Sequence, residues 1–320
     1  MRRAVLTLST ALMTIATTAA LAGEITRQTY ALPEDAYPHD VAAGPNGVVW
    51  YSGQRLGVLG RLDPATGTVE QIPLGKGSAP HGVIVGPDGA PWLTDGGVNA
   101  IVRVDPATRR IDRFPLPEAR GYVNLNTAVF DRSGILWFTG QNGVYGRLDP
   151  TTRKVKVWDA PKGRGAYGIA ATPDGGVYFV SLANNYLAKI DTASGAATVI
   201  EPPTKDQGAR RVWSDSQSRL WISEWSSGNL SRYDPKTQAW QSWRPPGDRP
   251  RLYAIYVDEH DIVWTSDWGG HAILRFDPAS EQFQSFPLDR GADVRQMLGR
   301  KGEVWIAESG KDRVTVLRFE

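Results

Sequence analysis

Short apolar runs alternate along this chain with clusters of glycine, proline, aspartate and asparagine. Residues 81–114 show the pattern most clearly. His81-Gly82-Val83-Ile84-Val85 is followed by Gly86-Pro87-Asp88-Gly89, then by Pro91-Trp92-Leu93-Thr94, then by Asn99-Ala100-Ile101-Val102-Arg103-Val104. Asp105-Pro106-Ala107-Thr108 leads into Ile111-Asp112-Arg113-Phe114. The Gly-Pro-Asp-Gly segment supplies the fixed and positive φ angles of a tight turn. Runs this short, punctuated this often, predict strands rather than helices. The unit therefore predicts four strands joined by turns.

The unit recurs. Trp50, Trp92, Trp137, Tyr178, Trp221, Trp264 and Trp305 occupy equivalent places, at spacings of 42, 45, 41, 43, 43 and 41 residues. Seven four-stranded units of this length predict an all-β, seven-bladed β-propeller. The seventh unit runs out after its third strand, at Phe319-Glu320. Ile25-Thr26-Arg27-Gln28-Thr29-Tyr30-Ala31-Leu32-Pro33 resembles the fourth strands at 111–117 and 283–288. The last blade is thus expected to be closed by the N-terminal strand, which leaves no open seam in the ring.

Composition narrows the classes. At 320 residues and 41% hydrophobic, the chain can bury a large core, which excludes disorder. It has no cysteine, so disulfides, thiolate catalysis and cysteine metal knuckles are excluded. Lysine and arginine total 36 against 34 acidic residues, which gives no basic surplus for nucleic acid. Met1-Arg2-Arg3, an apolar Thr/Ala run and Ala20-Leu21-Ala22 together predict a signal peptide over residues 1–22, cleaved before Gly23. The expected product is one propeller over residues 23–320, periplasmic or secreted, monomeric, with no membrane span.

Candidate chemistry lies where the inner strands converge on one mouth of the central channel. Counting the first residue of each inner strand as position 0, position 14 on the second strand is expected to lie opposite it. Position 0 holds His39, His81, Asn126, Tyr167, Arg210, Tyr253 and Val294, with Arg295 beside the last. Position 14 holds Gly53, Asp95, Gly140, Ser181, Glu224, Asp267 and Glu308. This mixed ring is expected to bind a small molecule, with Asn126, Tyr167, Arg210, Glu224, Asp267 and Arg295 as contacts. Arg210–Glu224 reads as an ion pair and His81–Asp95 as an orienting hydrogen bond. His39, His81, Asp95 and Glu308 come from neighbouring blades and form a candidate divalent-cation set. Trp225 and Trp268 follow Glu224 and Asp267 and can present a flat apolar platform or pack between blades. His260 falls in a turn at the other mouth, and His271 between two strands of blade six.

Pro80-His81-Gly82-Val83, Gly86-Pro87-Asp88-Gly89, Trp92-Leu93-Thr94-Asp95, Trp221-Ile222-Ser223-Glu224-Trp225 and Trp264-Thr265-Ser266-Asp267-Trp268-Gly269 resemble the blade signature of the virginiamycin B lyase, or streptogramin lyase, family. The resemblance implies a seven-bladed propeller. It also implies a magnesium-dependent elimination that opens cyclic depsipeptides at an ester. The family's essential histidines start the inner strands of the last two blades, where this chain has Tyr253 and Val294-Arg295. Glu308 matches the family's glutamate. The candidate catalytic set is accordingly His39, His81, Tyr253 and Glu308. The expected function is a lyase-like propeller acting on a cyclic ester or depsipeptide. The alternatives are a non-catalytic propeller that binds a ligand or a protein, and a lactone hydrolase.

Overall fold

The computed structural model describes residues 25–319. The signal peptide read from residues 1–22 lies outside them. Seven four-stranded antiparallel sheets make up the molecule. Six take their strands in chain order, and their inner strands are Pro38–Ala43, Pro80–Val85, Leu125–Phe130, Ala166–Ala171, Ala209–Ser214 and Leu252–Val257. The seventh runs from Val294–Arg300 through Glu303–Glu308 to Arg313–Arg318, and Thr26–Ala31 completes it from the other end of the chain. That pairing extends from Thr26 opposite Arg318 to Ala31 opposite Arg313. The Asp312 carboxylate adds bonds from the backbone N–H groups of Asp35 and Tyr37, at 3.0 and 2.7 Å.

The core lies between blades rather than within them. Trp92 of blade two, for example, stacks on Phe114 and meets Phe130 of blade three edge-on. A buried indole needs an acceptor for its N–H, and the turn preceding it supplies one. Trp92 donates to Asp88, Trp137 to Asp131, Trp221 to Asp215 and Trp264 to Asp258, at 2.7–3.1 Å. The recurrence of Trp with the turn aspartate therefore has a structural cause. Trp50 lacks such a partner. Its turn, Gly44-Pro45-Asn46-Gly47, has asparagine in place of the aspartate, in the left-handed region at φ 58°.

The inner hairpins depart from simple pairing in a way that decides the site. Each of the seven shifts register near its start. One extra residue on the inner strand makes a β-bulge. Position 14 consequently pairs with the residue before position 0: Pro38 with Gly53, Pro80 with Asp95, Ala209 with Glu224, Leu252 with Asp267. In blade seven Val294 pairs with Glu308, so Arg295 is the true position 0. The expected juxtaposition of positions 0 and 14 is corrected by this one-residue offset, which sends the two side chains to different faces.

The hydroxyl at position 13 fills the bulge. Ser52, Thr94 and Ser223 accept the backbone N–H of Asp40, Gly82 and Arg211. The same hydroxyls donate to the carbonyls of His81, Asn126 and Tyr253 on the following blades. Ser266 does the same between Ala254 and Val294. One short side chain thus ties the bulge to its neighbour in these blades, whereas blades four and seven have Val180 and Ala307 at this place.

Candidate functional site

The bulges turn two successive residues of the inner strands, positions 0 and +1, into the channel. At position 0, His39 and His81 lie with ring centroids 3.8 Å apart. The Asn126 amide donates to His81 Nε2 at 3.2 Å, while buried His81 Nδ1 has no partner among the described residues. His39 Nδ1 donates to Asp40 Oδ1 at 2.7 Å. Burial pushes both imidazoles well below their usual pKa, and the nearby positive charges of Arg211 and Arg295 push the same way. Both are neutral near pH 7. Asp40 is raised by burial, which outweighs the opposing pull of Arg211.

Position +1 supplies the floor. Arg211 reaches from blade five to Asp40 Oδ1 of blade one at 3.0 Å, to Thr127 Oγ1 of blade three at 2.5 Å and to the Arg295 carbonyl of blade seven at 3.3 Å. A guanidinium that touches three other blades crosses the channel and closes it. Arg211 and Asp40 are 4% and 2% exposed, so this is a buried charge pair held by additional hydrogen bonds. Below it Thr127, Arg211 and Gln296 line a space of about 20 Å³, room for about one water. Farther along the axis, the other mouth holds an apolar hollow of about 300 Å³ lined by Ala42, Ile84, Phe130, Trp213, Tyr256 and Leu298.

The remaining wall is aromatic and basic. The Tyr167 and Tyr253 hydroxyls bond to each other. Burial first, then Tyr167, raises Tyr253 well above the usual phenol range. Trp225, Tyr253 and Trp268 form a three-ring cluster with centroids 5.4–5.8 Å apart. The Trp268 indole donates to the Val294 carbonyl at 2.6 Å, and both tryptophans are half-buried. Arg210 lies 4.9 Å from the Trp225 and Tyr253 rings, and Arg295 5.0 Å from Trp268.

The acidic residues expected at the mouth are engaged elsewhere. Asp95 accepts the N–H groups of Ala79, Gly97 and Val98 and the Ser78 hydroxyl. Glu224 is held by Gln207, Ser227 and Ser231, and Asp267 by the N–H groups of Arg251 and Gly269. Glu308 is held by Arg313 at 2.6 and 2.8 Å and by Thr315. The expected Arg210–Glu224 and His81–Asp95 contacts do not form, and the set His39, His81, Asp95, Glu308 is not assembled. The cause is the bulge offset: position 14 caps the loop beside its own hairpin. His39, Asp40 and His81 cluster instead, with ligand atoms within 4.8 Å of one another, and these three can coordinate a metal ion. His260 is exposed, and His271 lines a hollow beside Trp268 in blade six.

Sequence reasoning missed Asp40, Arg211, Thr127 and Gln296, because only positions 0 and 14 were counted toward the channel. A signal was there. Position +1 is otherwise Gly82, Thr127, Gly168, Ala254 and Gln296, so Asp40 and Arg211 are its only charges.

Fold and mouth together define a seven-bladed propeller with a polar channel mouth closed from below. The model of the virginiamycin B lyase family matches residues 8–241, and the chain belongs to that family. Among solved structures, virginiamycin B lyase from Staphylococcus aureus is 20% identical at a TM-score of 0.85, covering 93% of this chain and 100% of that one. A streptogramin B lyase structure is 21% identical at a TM-score of 0.84, over 92% and 98%. A catalytically inactive histidine-to-alanine form of the S. aureus enzyme with quinupristin is 21% identical, again at 0.84, over 93% and 100%. A search of curated proteins found no match. Among the described residues, no helix is long and apolar enough to cross a membrane.

Proposed function

We propose that the channel mouth seats a small molecule. Its cup has a wall of His39, His81, Asn126, Tyr167, Arg210, Tyr253 and Arg295, and a floor of Asp40–Arg211. One observation carries this reading. The positions that build the blades repeat around the ring, whereas the seven wall positions differ in charge and hydrogen-bonding type, and the Arg211–Asp40 pair spans the channel beside them. The leader-like residues 1–22 support a site of action outside the cytoplasm.

Family membership makes elimination on a cyclic ester the first reaction to test. That reaction needs a base for the proton α to a carbonyl. At the positions equivalent to the family's histidines this chain has Tyr253, whose phenol is raised by burial, and Arg295. Neither is a base near pH 7. Glu308 is held by Arg313 and Thr315, so the residues at these positions do not fit a magnesium ion. We therefore read the chain as a ligand-binding member of the family that does not cleave streptogramins. A second reading rests on the cluster of His39, Asp40 and His81: the three would hold a transition metal, since imidazole donors suit one better than magnesium, with His81 ligating through the Nε2 lone pair that Asn126 now takes.

The test has two arms. A small-molecule screen against melting temperature should find ligands whose effect is lost in Trp225→Ala. A ligand at 100 times its Kd adds ~2.7 kcal/mol. A streptogramin B depsipeptide incubated with the protein and magnesium should stay intact by mass spectrometry. A linear isomer of unchanged mass would establish the lyase reaction instead, and a product heavier by one water would establish hydrolysis. No stabilising ligand for the wild type would sink the cup.

A further inference from the structure

The arginines of the cup are not among those whose guanidinium is taken up by a close carboxylate. Arg103, Arg109, Arg219, Arg300 and Arg313 each hold a carboxylate at 2.6 or 2.7 Å. Arg210 has no carboxylate within 4.0 Å among the described residues, and Arg295 reaches only Asp293, at 4.0 Å. Both lie over aromatic faces, and Arg295 also donates to the Asp293 carbonyl at 3.3 Å. Arg210 lies over Trp225 and Tyr253, Arg295 over Trp268 at 5.0 Å and Tyr37 at 5.3 Å. Arg251 adds a further guanidinium over Trp225 at 5.4 Å, and Arg55 another over Tyr37 at 3.8 Å. Stacking uses the face of a guanidinium and leaves its N–H edge free, the edge that matches a carboxylate in bidentate fashion.

The acidic residues that would neutralise this rim are consumed. Asp95, Glu224, Asp267 and Glu308 cap loops or pair within their own blades, and Asp40 is matched by Arg211. Asp293, 4.0 Å from Arg295, stays at the rim beside the guanidinium groups of Arg210, Arg251 and Arg295. Between the two open arginines lies an aromatic bridge. Arg210, Trp225, Trp268 and Arg295 follow one another at 4.9, 5.4 and 5.0 Å.

We propose that the ligand of this mouth is an anionic planar molecule: a flat ring system laid against Trp225 or Trp268, whose indoles stand nearly perpendicular at 72°, with a carboxylate or related anionic group bound by the N–H edge of Arg210 and by Arg295 in exchange for Asp293. The inference rests on the small-molecule cup proposed above and names the class that fills it.

Calorimetric titration of the purified protein with 1-naphthoate, its uncharged amide 1-naphthamide and 1-naphthyl phosphate tests this. Naphthoate should bind at least tenfold more tightly than the amide and weaken as salt rises from ~50 to ~500 mM, a range over which the screening length shortens about threefold. Arg210→Gln combined with Arg295→Gln, checked for an unchanged melting temperature, should lose at least tenfold in naphthoate affinity and leave the amide as it was. If that pair melts lower, Arg210→Lys and Arg295→Lys singly should retain part of the preference. The phosphate probe separates sources: preference for it over naphthoate assigns the anion as a phosphoryl group. Equal binding of amide and naphthoate, lost in Trp225→Ala, would overturn the anionic class while leaving the cup in place. Failure of every probe to bind the wild type would overturn both.

Discussion

His39 and His81 sit at the residue scale, and their chemistry is set by burial. Each is held neutral because charging it would place a cation in a dry site already facing Arg211 and Arg295; Asp40 is the one carboxylate in contact, and Asn126 the neutral neighbour. Unfolded histidine titrates near 6.5. Below that value the unfolded chain gains protons that the folded chain refuses, so their contribution is complete above about pH 6.5 and is lost as pH falls. The loss is at most ~1.4 kcal/mol per pH unit for each histidine. Asp40, raised by burial, acts in the opposite sense at lower pH, so the clean window is pH 7.5 to 5.5. We expect the melting temperature to drop across that window in chelator-treated buffer, and the drop to shrink in His39→Gln/His81→Gln. An equal drop in wild type and variant would show that other groups set the acid response. The ring of position-0 side chains was legible in the sequence because each opens an inner strand at a fixed distance from its tryptophan. Asp40 and Arg211 were not, because no residue pattern announces a bulge that turns a second side chain inward.

At the scale of the element, the position-13 hydroxyl explains more of the repeat than any ligand does. The Trp-x-Ser/Thr-Asp/Glu pattern looked like site chemistry when read along the chain. In three dimensions the tryptophan packs between blades, the hydroxyl stitches a bulge to the next blade, and the carboxylate caps a loop. The carboxylates were assigned to the mouth because strand pairing was counted without the extra residue, and one residue is enough to change the face. Strand boundaries survived because they depend on Gly/Pro turns and apolar runs, which local sequence does specify. Ser223→Ala tests the stitch. It leaves the Arg211 N–H and the Tyr253 carbonyl short of a partner in a buried place. A cost of about 1–3 kcal/mol is expected, read as a lower urea midpoint with an unchanged slope. Ser223→Thr should restore most of it. A midpoint within error of wild type for Ser223→Ala would mean the hydroxyl is a bystander. Because Arg211 and Tyr253 belong to the cup, the same variant should also weaken any ligand that stabilises the wild type.

Over the whole molecule, the ring is held by a strand borrowed from the opposite end of the chain. Replacing Thr26–Ala31 with a glycine-serine segment removes six pairings and uncovers the edge of Arg313–Arg318. The expected result is loss of cooperative melting or aggregation, since an uncovered strand edge recruits other chains. Unchanged melting would show that the blade is complete without it. The number of blades and the way the ring closes were both readable beforehand, because the count of units and the missing fourth strand are properties of the sequence as a whole. What fills the channel was less so, since contacts such as Arg211 to Asp40 join residues 171 apart in the chain.

That borrowed strand also imposes an order of events. Thr26–Ala31 is made before every other described strand, and its partner Arg313–Arg318 after all of them. Until then the N-terminal segment has nothing to pair with, and a partly synthesised chain is a row of blades with two raw ends. Closing the widest sequence separation in the molecule is an entropically late step that waits on everything between. The ring is therefore expected to lock last, once the six other blades between its two joined strands have folded.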